Sequence, residues 1–341
     1  MPIIPHLIVD QHGTFLGKHQ GRLQVTKDRE KLAEAPLLHL EQVLITGQGI
    51  GLSADAIRAC CTAGIPIYFL DPAGRPYAAL YAAGLTGTVL TRREQLLAYQ
   101  DRRGVELAVA FARGKITNQA NFLRYAAKYR EEAAPEIGRL LRQQAEQVQE
   151  AMEELHHLRG DTVEEIRGQI LAIEGRAAQQ YWDALRAVIP ESCHWPGRVT
   201  RGARDPVNAA LNYGYGILYG QVERALILAG LDPYGGFIHA DRPGKPSLVF
   251  DLIEEFRTVV VDRTVVGMVT KGMKLEMNDE GRLVEEARRS VAEKVLERLD
   301  AAERYEKKRQ PLRVILQSQA RHLATFLRGE RAAYEPFIAR W

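Results

Sequence analysis

The sequence has 341 residues, 46% hydrophobic and 26% charged, with 46 basic against 43 acidic side chains and a net charge of +3. This composition excludes a disordered chain and a disulfide-stapled miniprotein, and the length favours two domains. No apolar run reaches the roughly eighteen residues of a membrane span, and the first residues lack the pattern of a signal peptide. We therefore expect a soluble, cytoplasmic protein without a membrane partner. Three cysteines without a Cys-x-x-Cys pair fit that compartment.

Residues 1–88 consist of short strand-like segments separated by turns. The first three are divided only by glycine or polar breaks and predict a β-meander at 6–10, 14–17 and 22–26. The later elements are a strand, a helix capped by Ser53, a second strand, a turn and a hairpin strand, at 42–46, 53–63, 65–70, 71–74 and 76–81.

From residue 91 the hydrophobic period changes to that of α-helices. Helices are predicted at 92–113, 119–129, 137–157, 163–189, 285–309 and 312–327. Asp205 followed by Pro206 has the order of an N-cap and first helical residue, and predicts one more helix. The predicted fold is α+β: a small β-rich domain at 1–88, sandwich-like with one helix, precedes a larger, mostly helical domain at 89–341.

The segment 43–71 has the strand, glycine turn, helix and strand order of a dinucleotide-binding unit. Its glycines are spaced G-x-G-x-G, and Leu52 stands where the third glycine of the fingerprint belongs. A meander before this segment and helices after it leave no repeated βα units. We therefore favour a structural turn, in which glycines supply positive φ, over a nicotinamide or flavin site.

Four acidic or imidazole side chains stand out in the second domain: Glu174, His239, Asp251 and Glu254. Asp251 and Glu254 are three residues apart, which places both carboxylates on one face of a helix. Carboxylates with an imidazole suit manganese or magnesium, and a metal so held could neutralise charge on a phosphodiester. Taken singly, each residue is more often a solvated, core or capping group. Glu255 lies about 100° around the same helix, so it should face elsewhere and its replacement by alanine should be mild.

A polyanion-binding surface is predicted beside these acids. Arginines in irregular chain before the helix start at Asp205 can gather phosphates, and tyrosines on that helix can stack on unpaired bases. Core packing with a satisfied hydroxyl is the alternative for the tyrosines. The candidate DNA-binding residues are Arg198, Arg201, Arg204, Asn212, Tyr213 and Tyr215.

Several stretches share their order and spacing with one known family: 174–175, RDPVNA at 204–209, GLDPYGGFIH at 230–239, SLVFDLIEEFR at 247–257 and VDR at 261–263. They span about 90 residues, and 36–41 and 64–70 are similar to the same family's N-terminal β-domain. The sequence thus resembles the CRISPR-associated protein one family, the metal-dependent DNA endonucleases and integrases of spacer acquisition. Two departures are visible, since 201–204 replaces the usual Arg-Pro-Pro stretch and Thr258 stands where proline commonly follows Phe-Arg.

The resemblance implies a site for Mg²⁺ or Mn²⁺ made by Glu174, His239 and Glu254, with Asp251 as an additional acid beside it. It also implies a homodimer paired through residues 1–88, and assembly with the small CRISPR-associated protein two around a short prespacer duplex. The implied reaction is transesterification, in which a prespacer 3′-hydroxyl attacks a phosphodiester at the leader end of the CRISPR repeat array. Cleavage of branched or single-stranded DNA is the related hydrolysis.

Two other functions remain open on the sequence. A non-catalytic DNA-binding scaffold of an adaptation complex would need the basic surface but not the acids. A metal phosphoesterase of the histidine-aspartate type would draw on His156, His157 and Asp161. The sequence contains no His-Asp dipeptide, however, and Gly160 interrupts that helix.

Overall fold

The computed structural model describes residues 6–40, 42–72, 74–80 and 89–341. Strands dominate the described chain up to residue 80 and helices dominate the rest, so the predicted α+β class is confirmed. Ala73 of the predicted turn, Tyr81 of the predicted hairpin and the predicted domain boundary at 88 lie outside the described residues. Within the described ranges, no helix combines the length and the apolar character needed to cross a bilayer.

The elements of the strand-rich region are, in chain order, β1 (His6–Val9), β2 (Phe15–His19), β3 (Arg22–Lys27), β4 (Glu30–Pro36), a 3₁₀ turn (Leu37–His39), β5 (Gln42–Ile45), β6 (Gly51–Leu52), α1 (Ala54–Thr62), β7 (Ile67–Leu70) and β8 (Pro76–Leu80). One sheet has the order β1-β5-β7-β8 and the other β4-β3-β2-β6. Buried side chains from both sheets and from α1 share one apolar core.

The predicted meander is right for the second and third segments and wrong for the first. β2, β3 and β4 run antiparallel in sequence order, but β1 lies in the other sheet, parallel to β5, with His6 opposite Gln42. β5 pairs with β1 on one edge and β7 on the other, and it is buried along its whole length. An alternating pattern predicts a strand without naming its partner, and the partner here is distant in sequence.

The segment predicted as a strand–turn–helix–strand unit does form one, since β5 and β7 are parallel with Val43 opposite Ile67. The space beside its glycine turn, however, is occupied by other residues of the protein. A Cβ on Gly47 would collide with the backbone carbonyl of Asp10, and one on Gly49, at φ +67°, would lie 2.6 Å from the His12 ring. The glycines therefore serve close packing, in agreement with the structural-turn interpretation.

The elements of the helical region are α2 (Val89–Ala98), α3 (Arg102–Lys128), α4 (Pro135–His157), α5 (Val163–Leu185), α6 (Pro206–Leu228), α7 (Ser247–Phe256), a π-helical turn (Arg257–Asp262), α8 (Arg263–Thr270), α9 (Glu285–Asp300), the hairpin strands β9 (Ala302–Tyr305) and β10 (Lys308–Pro311), and α10 (Leu312–Leu327). α6 begins as predicted, because the Asp205 carboxylate accepts a hydrogen bond from the Asn208 N–H at 2.8 Å.

Two helix predictions are wrong. The helix predicted at 92–113 is interrupted at 99–101, where Asp101 caps the start of α3. α3 then continues without interruption through 114–118, where a gap between two helices was predicted. The helix predicted at 285–309 ends at Asp300 and gives way to an antiparallel hairpin, with Tyr305 opposite Lys308. The apolar stripe of α9 stops at Leu299, so nothing beyond it needs a helix to reach the core.

The strand-rich region docks on α6 through glycine contacts. The turn after β7 approaches so closely that a Cβ on Gly216 would overlap the backbone of Gly74, and Gly220 packs on the Tyr68 ring. Arg289 of α9 adds a bidentate ion pair to Asp10, with distances of 2.8 and 2.9 Å. α6 is consequently buried on nearly every side, between the sheets and the other helices.

Replacing Gly216 by alanine is expected to lower the free energy of unfolding by roughly 1–3 kcal/mol, because the added methyl group must displace the Gly74 backbone. Gly168→Ala is the matched control: a Cβ on this helical glycine would meet nothing within 4 Å, so the substitution should stabilise by roughly 0.5–1 kcal/mol. Thermal denaturation of both variants measures the difference. Equal melting temperatures would show that the contact between Gly74 and Gly216 is not tight in solution.

Candidate metal and DNA-binding site

Three helices bring two of the predicted metal ligands together around a lysine. Glu174 of α5 and Glu254 of α7 are both buried, at 6% and 3% exposure. The Lys115 ammonium of α3 lies between them, in contact with Glu174 Oε1 and 2.9 Å from Glu254 Oε2. Lys115 was not among the residues predicted from the sequence, although a cation between apolar positions of α3 such as Phe111 and Ile116 is a usable signal.

Glu254 is neutralised by two cations. Arg257, one turn along the chain, places Nε 3.1 Å from Glu254 Oε1. Burial by itself would raise the pKa of Glu254, but the charges of Arg257 and Lys115 outweigh it and lower that pKa to about 2. Burial likewise opposes the charge on Lys115, and the Glu174 and Glu254 carboxylates raise its pKa nonetheless. Both carboxylate and ammonium are therefore charged at neutral pH.

Asp251 holds the histidine rather than joining the carboxylate pair. Fully buried, it accepts hydrogen bonds from the backbone N–H groups of Phe237, Ile238 and His239 at 2.5, 3.1 and 3.0 Å. It also accepts one from His239 Nδ1 at 2.7 Å. Since a carboxylate can only accept, Nδ1 carries a proton and, in the neutral ring, Nε2 keeps its lone pair. Asp251 is therefore a positioning residue for His239.

The charges around His239 favour its protonated form. Burial lowers its pKa, but the hydrogen bond and charge of Asp251, with the charges of Glu254 and Glu174, raise it overall. The two glutamates thus lie near enough to act on the imidazole electrostatically.

The predicted ligands are not gathered into a finished metal cage. In the part of the chain that the structure describes, no three His, Cys, Asp or Glu side chains lie close enough to hold a metal ion. Lys115 instead occupies the space between the carboxylates. The donors nevertheless suit a hard divalent cation, because Glu174 Oε2 is buried without a hydrogen-bond partner and a positive charge already sits between two buried anions.

The π-helical turn fixes Arg257. Asp262 at its end accepts hydrogen bonds from the hydroxyls of Tyr181, at 2.9 Å, and Tyr215. The Arg257 guanidinium lies over the Tyr215 ring, 4.7 Å from its centroid. Burial raises the pKa of Asp262, against the opposing hydrogen bonds from these tyrosines. Such turns are rare and concentrate at functional sites, and this one aims Arg257 at Glu254.

A family model described as CRISPR associated protein Cas1 matches residues 7–297 of the sequence. The chain belongs to the Cas1 family. A relative from Archaeoglobus fulgidus, named CRISPR-associated endonuclease Cas1 1, is 38% identical over 346 residues, covering 98% of this chain and 99% of its own.

Two solved structures share the fold of this Cas1-family chain. A casposase bound to integration product has a TM-score of 0.82 at 22% identity, covering 97% of this chain and 93% of the casposase. A Cas6-RT-Cas1–Cas2 complex has a TM-score of 0.77 at 21% identity, covering 97% of this chain and 36% of that one. At this low sequence identity, the structural similarity establishes a shared architecture only, and that architecture agrees with the family assignment from sequence.

A cavity of about 770 Å³ opens beside α7 of this Cas1-family chain, and most of the predicted DNA-binding residues line it. Arg201 and Arg204 are exposed there and have no ion-pair partner among the described residues. Arg198 is instead tied into the fold, because it donates to Asn212 Oδ1 at 2.7 Å and stacks over the Tyr215 ring. Arg257 also lines this cavity and pairs with the buried Glu254, so it links the cavity to the carboxylate pair.

The two tyrosines predicted to stack on bases are placed otherwise. Tyr213 is 1% exposed and packs against Gly74, so its ring is not available to a base, and that prediction is corrected. Tyr215 borders the cavity at 9% exposure, but its hydroxyl donates to Asp262 and two arginine guanidinium groups stack on its ring. Core packing, the alternative weighed from sequence, is what the structure shows for Tyr213.

The histidine–aspartate alternative has no assembled site. His157 ends α4 with Nδ1 2.6 Å from the Glu153 carbonyl, whereas Asp161 is exposed and pairs with Arg102. Neither residue belongs to a metal-sized cluster within the described ranges.

Proposed function

We propose that this chain is a metal-dependent DNA endonuclease and integrase of CRISPR adaptation. The observation that carries the proposal is the buried pair Glu174 and Glu254, converging on one cation beside His239 and next to an arginine-lined cavity. Two buried anions are costly without a cation between them, and a basic cavity fits a polyanion. Relatives named endonucleases, and the shared fold of a casposase bound to integration product, support the same reaction class.

Mg²⁺ or Mn²⁺ would be held by Glu174, Glu254 and His239 Nε2, and when bound supplies Lewis-acid stabilisation of a crowded phosphodiester. The protein's own groups do the rest. Asp251 holds the tautomer that leaves Nε2 free, and Arg257 fixes Glu254. Lys115 keeps the two carboxylates together while no metal is bound between them.

The reaction we propose exchanges one phosphodiester for another. The 3′-hydroxyl of a prespacer attacks phosphorus at the leader end of the CRISPR repeat and forms a new oxygen–phosphorus bond. The bond from phosphorus to the old 3′-oxygen breaks. Solvent takes the proton of the attacking hydroxyl and supplies one to the leaving oxygen. Water in place of the hydroxyl gives cleavage of branched or single-stranded DNA. Both reactions need the same stabilisation of charge, so one site serves both.

We further propose a homodimer paired through residues 1–88 that assembles with Cas2 around prespacer DNA. Large apolar side chains exposed on the strand-rich region support pairing there: Phe15, Leu32, Leu38 and Tyr77. A Cas6-RT-Cas1–Cas2 complex of the same fold supports the partner.

The test is a strand-transfer assay with the purified chain, a short duplex with free 3′-hydroxyls and a plasmid carrying a leader and repeat. We expect joined products with Mg²⁺ or Mn²⁺, none with EDTA, and none when the 3′-ends are dideoxy. DNA binding without any joining or cutting under all metal conditions would favour the non-catalytic scaffold instead.

We predict that Arg201 and Arg204 of the arginine-lined cavity contact DNA phosphates. Replacing Arg201 and Arg204 together by alanine should weaken duplex binding and reduce the slope of log affinity against log salt by about 0.9 for each lost phosphate contact. The control is Arg139→Ala, which removes an exposed arginine of α4 that pairs with Glu136. Anisotropy titrations at several salt concentrations measure the slopes. An unchanged slope in the double variant would remove both arginines from the phosphate path.

A further inference from the structure

A second basic hollow lies away from the arginine-lined cavity, between the end of α3, the β9–β10 hairpin and residues 340–341. Its volume is about 610 Å³. Six exposed cations line it: Lys128, Arg304, Lys307, Lys308, Arg309 and Arg340. The family model ends at residue 297, so most of this hollow lies outside the residues that the model matches.

The positive charge of the hollow is not compensated locally. Glu303 is the single acidic residue among the described residues that line it, and its Oε1 already accepts from Arg263 at 3.2 Å and Arg298 at 2.5 Å. Lys307, Lys308 and the other exposed cations have no ion-pair partner within the described chain. Clustered unpaired cations repel one another and favour a bound polyanion.

Aromatic rings floor the same hollow. Tyr129 is 69% exposed, Tyr125 lies 4.8 Å from it between centroids, and Trp341 lies 5.4 Å from Tyr125. Arg263 stacks over both Tyr125 and Trp341 and holds them in place. Exposed rings beside unpaired cations are the combination that binds unpaired nucleotides, since phosphates take the cations and bases stack on the rings.

The hairpin presents its lysines through a strained turn. Glu306 and Lys307 form the two-residue loop with φ of +45° and +67°, where Asn-Gly is the favoured pair. Residues with a Cβ are disfavoured in this conformation relative to glycine. The turn places the exposed Lys307 side chain at the tip of the hairpin, where it lines the hollow.

We propose that this hollow is a second nucleic-acid site, which binds an unpaired segment of the DNA substrate. The choice of DNA rests on the proposed function. Lys115 at the carboxylate pair and Lys128 at the hollow are 13 residues apart on α3, which is about 20 Å along the helix. The bound segment is thus single-stranded DNA held about 20 Å along α3 from the carboxylate pair.

The test measures anisotropy of a labelled oligothymidylate and of a duplex of the same length, in EDTA, with the full chain. Tyr129→Leu, which removes the exposed ring, should weaken oligothymidylate binding at least fivefold and leave duplex binding unchanged. Lys307→Gly should weaken it too and lower the salt slope by about 0.7, while raising the melting temperature because the turn strain is relieved. Glu306→Gly relieves the same strain and keeps the lysine, so its affinity should be unchanged or higher.

Unchanged oligothymidylate affinity in both Tyr129→Leu and Lys307→Gly would overturn the proposal, as would equal losses for duplex and single strand. Displacement of the oligonucleotide by polyglutamate at equal charge concentration would also overturn it, because stacking would then contribute nothing. The measurement needs neither metal nor turnover. A chain that binds oligothymidylate here but never cuts or joins DNA would refute the proposed function and leave this site standing.

Discussion

Glu174→Gln is expected to reduce metal-dependent cleavage and strand transfer by on the order of 10³-fold, roughly 4 kcal/mol of transition-state stabilisation. The fold should stay intact, because Lys115 keeps its ion pair with Glu254 at 2.9 Å and the amide matches the carboxylate in size. His239→Ala should have a similar effect on turnover, while Asp251 retains its three backbone hydrogen bonds. Duplex affinity in EDTA should match that of the unsubstituted chain in both variants.

Glu254→Gln separates catalysis from stability. Activity should fall as far as in Glu174→Gln, but this substitution also leaves Arg257 without its carboxylate and Lys115 with only one. Stranding a buried charge costs roughly 3–5 kcal/mol, so the melting temperature should fall well below that of Glu174→Gln. Initial rates and thermal denaturation of the two variants side by side provide the measurement. Full activity in either variant would refute the assignment of the carboxylate pair.

Local patterns account for much of this fold but not for the partners of its elements. The capping pair Asp205-Pro206 predicted the start of α6, and the helix predicted at 312–327 matches the bounds of α10. The pairing of β1 with β5 could not be predicted this way, because an alternating pattern carries no information about a strand 36 residues away. The β9–β10 hairpin was hidden by the absence of glycine or asparagine in its turn.

In the candidate site, too, residues in local motifs were predicted from the sequence, whereas a partner distant in the chain was not. Motif spacing singled out Glu174, His239 and Glu254, whereas Lys115 comes from a helix some sixty residues earlier in the chain. Only packing of α3 against α5 and α7 brings it between the carboxylates. Tyr213 was misplaced for the opposite reason: α6 is buried nearly all round, so no periodicity distinguishes an inner from an outer face.

Glu255 faces away from Glu254, as helix geometry predicts, but the face it occupies is buried. Its carboxylate accepts hydrogen bonds from Gln319 Nε2 at 2.9 Å, the Tyr334 hydroxyl at 2.6 Å and the Phe337 N–H at 2.8 Å. Burial raises its pKa to about 7. The expectation that alanine would be mild here is therefore replaced, because it assumed an exposed side chain.

Glu255→Ala is expected to lower the free energy of unfolding by roughly 3 kcal/mol or more, since three buried donors lose their acceptor at once. The released segment packs directly on α3, where a Cβ on Gly114 would lie 2.9 Å from Pro336, so loosening it should also disturb Lys115 one residue away. Thermal denaturation and limited proteolysis after residue 330 measure the effect. An unchanged melting temperature would show that these hydrogen bonds do not hold the segment.

Glu255→Gln is the matched control, because glutamine can keep all three contacts. Its carbonyl oxygen can accept from Gln319 and Phe337 while its NH₂ donates to the Tyr334 hydroxyl, which rotates to accept. Stability should change by less than about 1 kcal/mol, and cleavage should persist. Two neighbouring glutamates on α7 would then give opposite results with the same substitution: glutamine at 254 abolishes turnover and at 255 does not. Loss of cleavage in a stably folded Glu255→Gln would place Glu255 in the reaction itself.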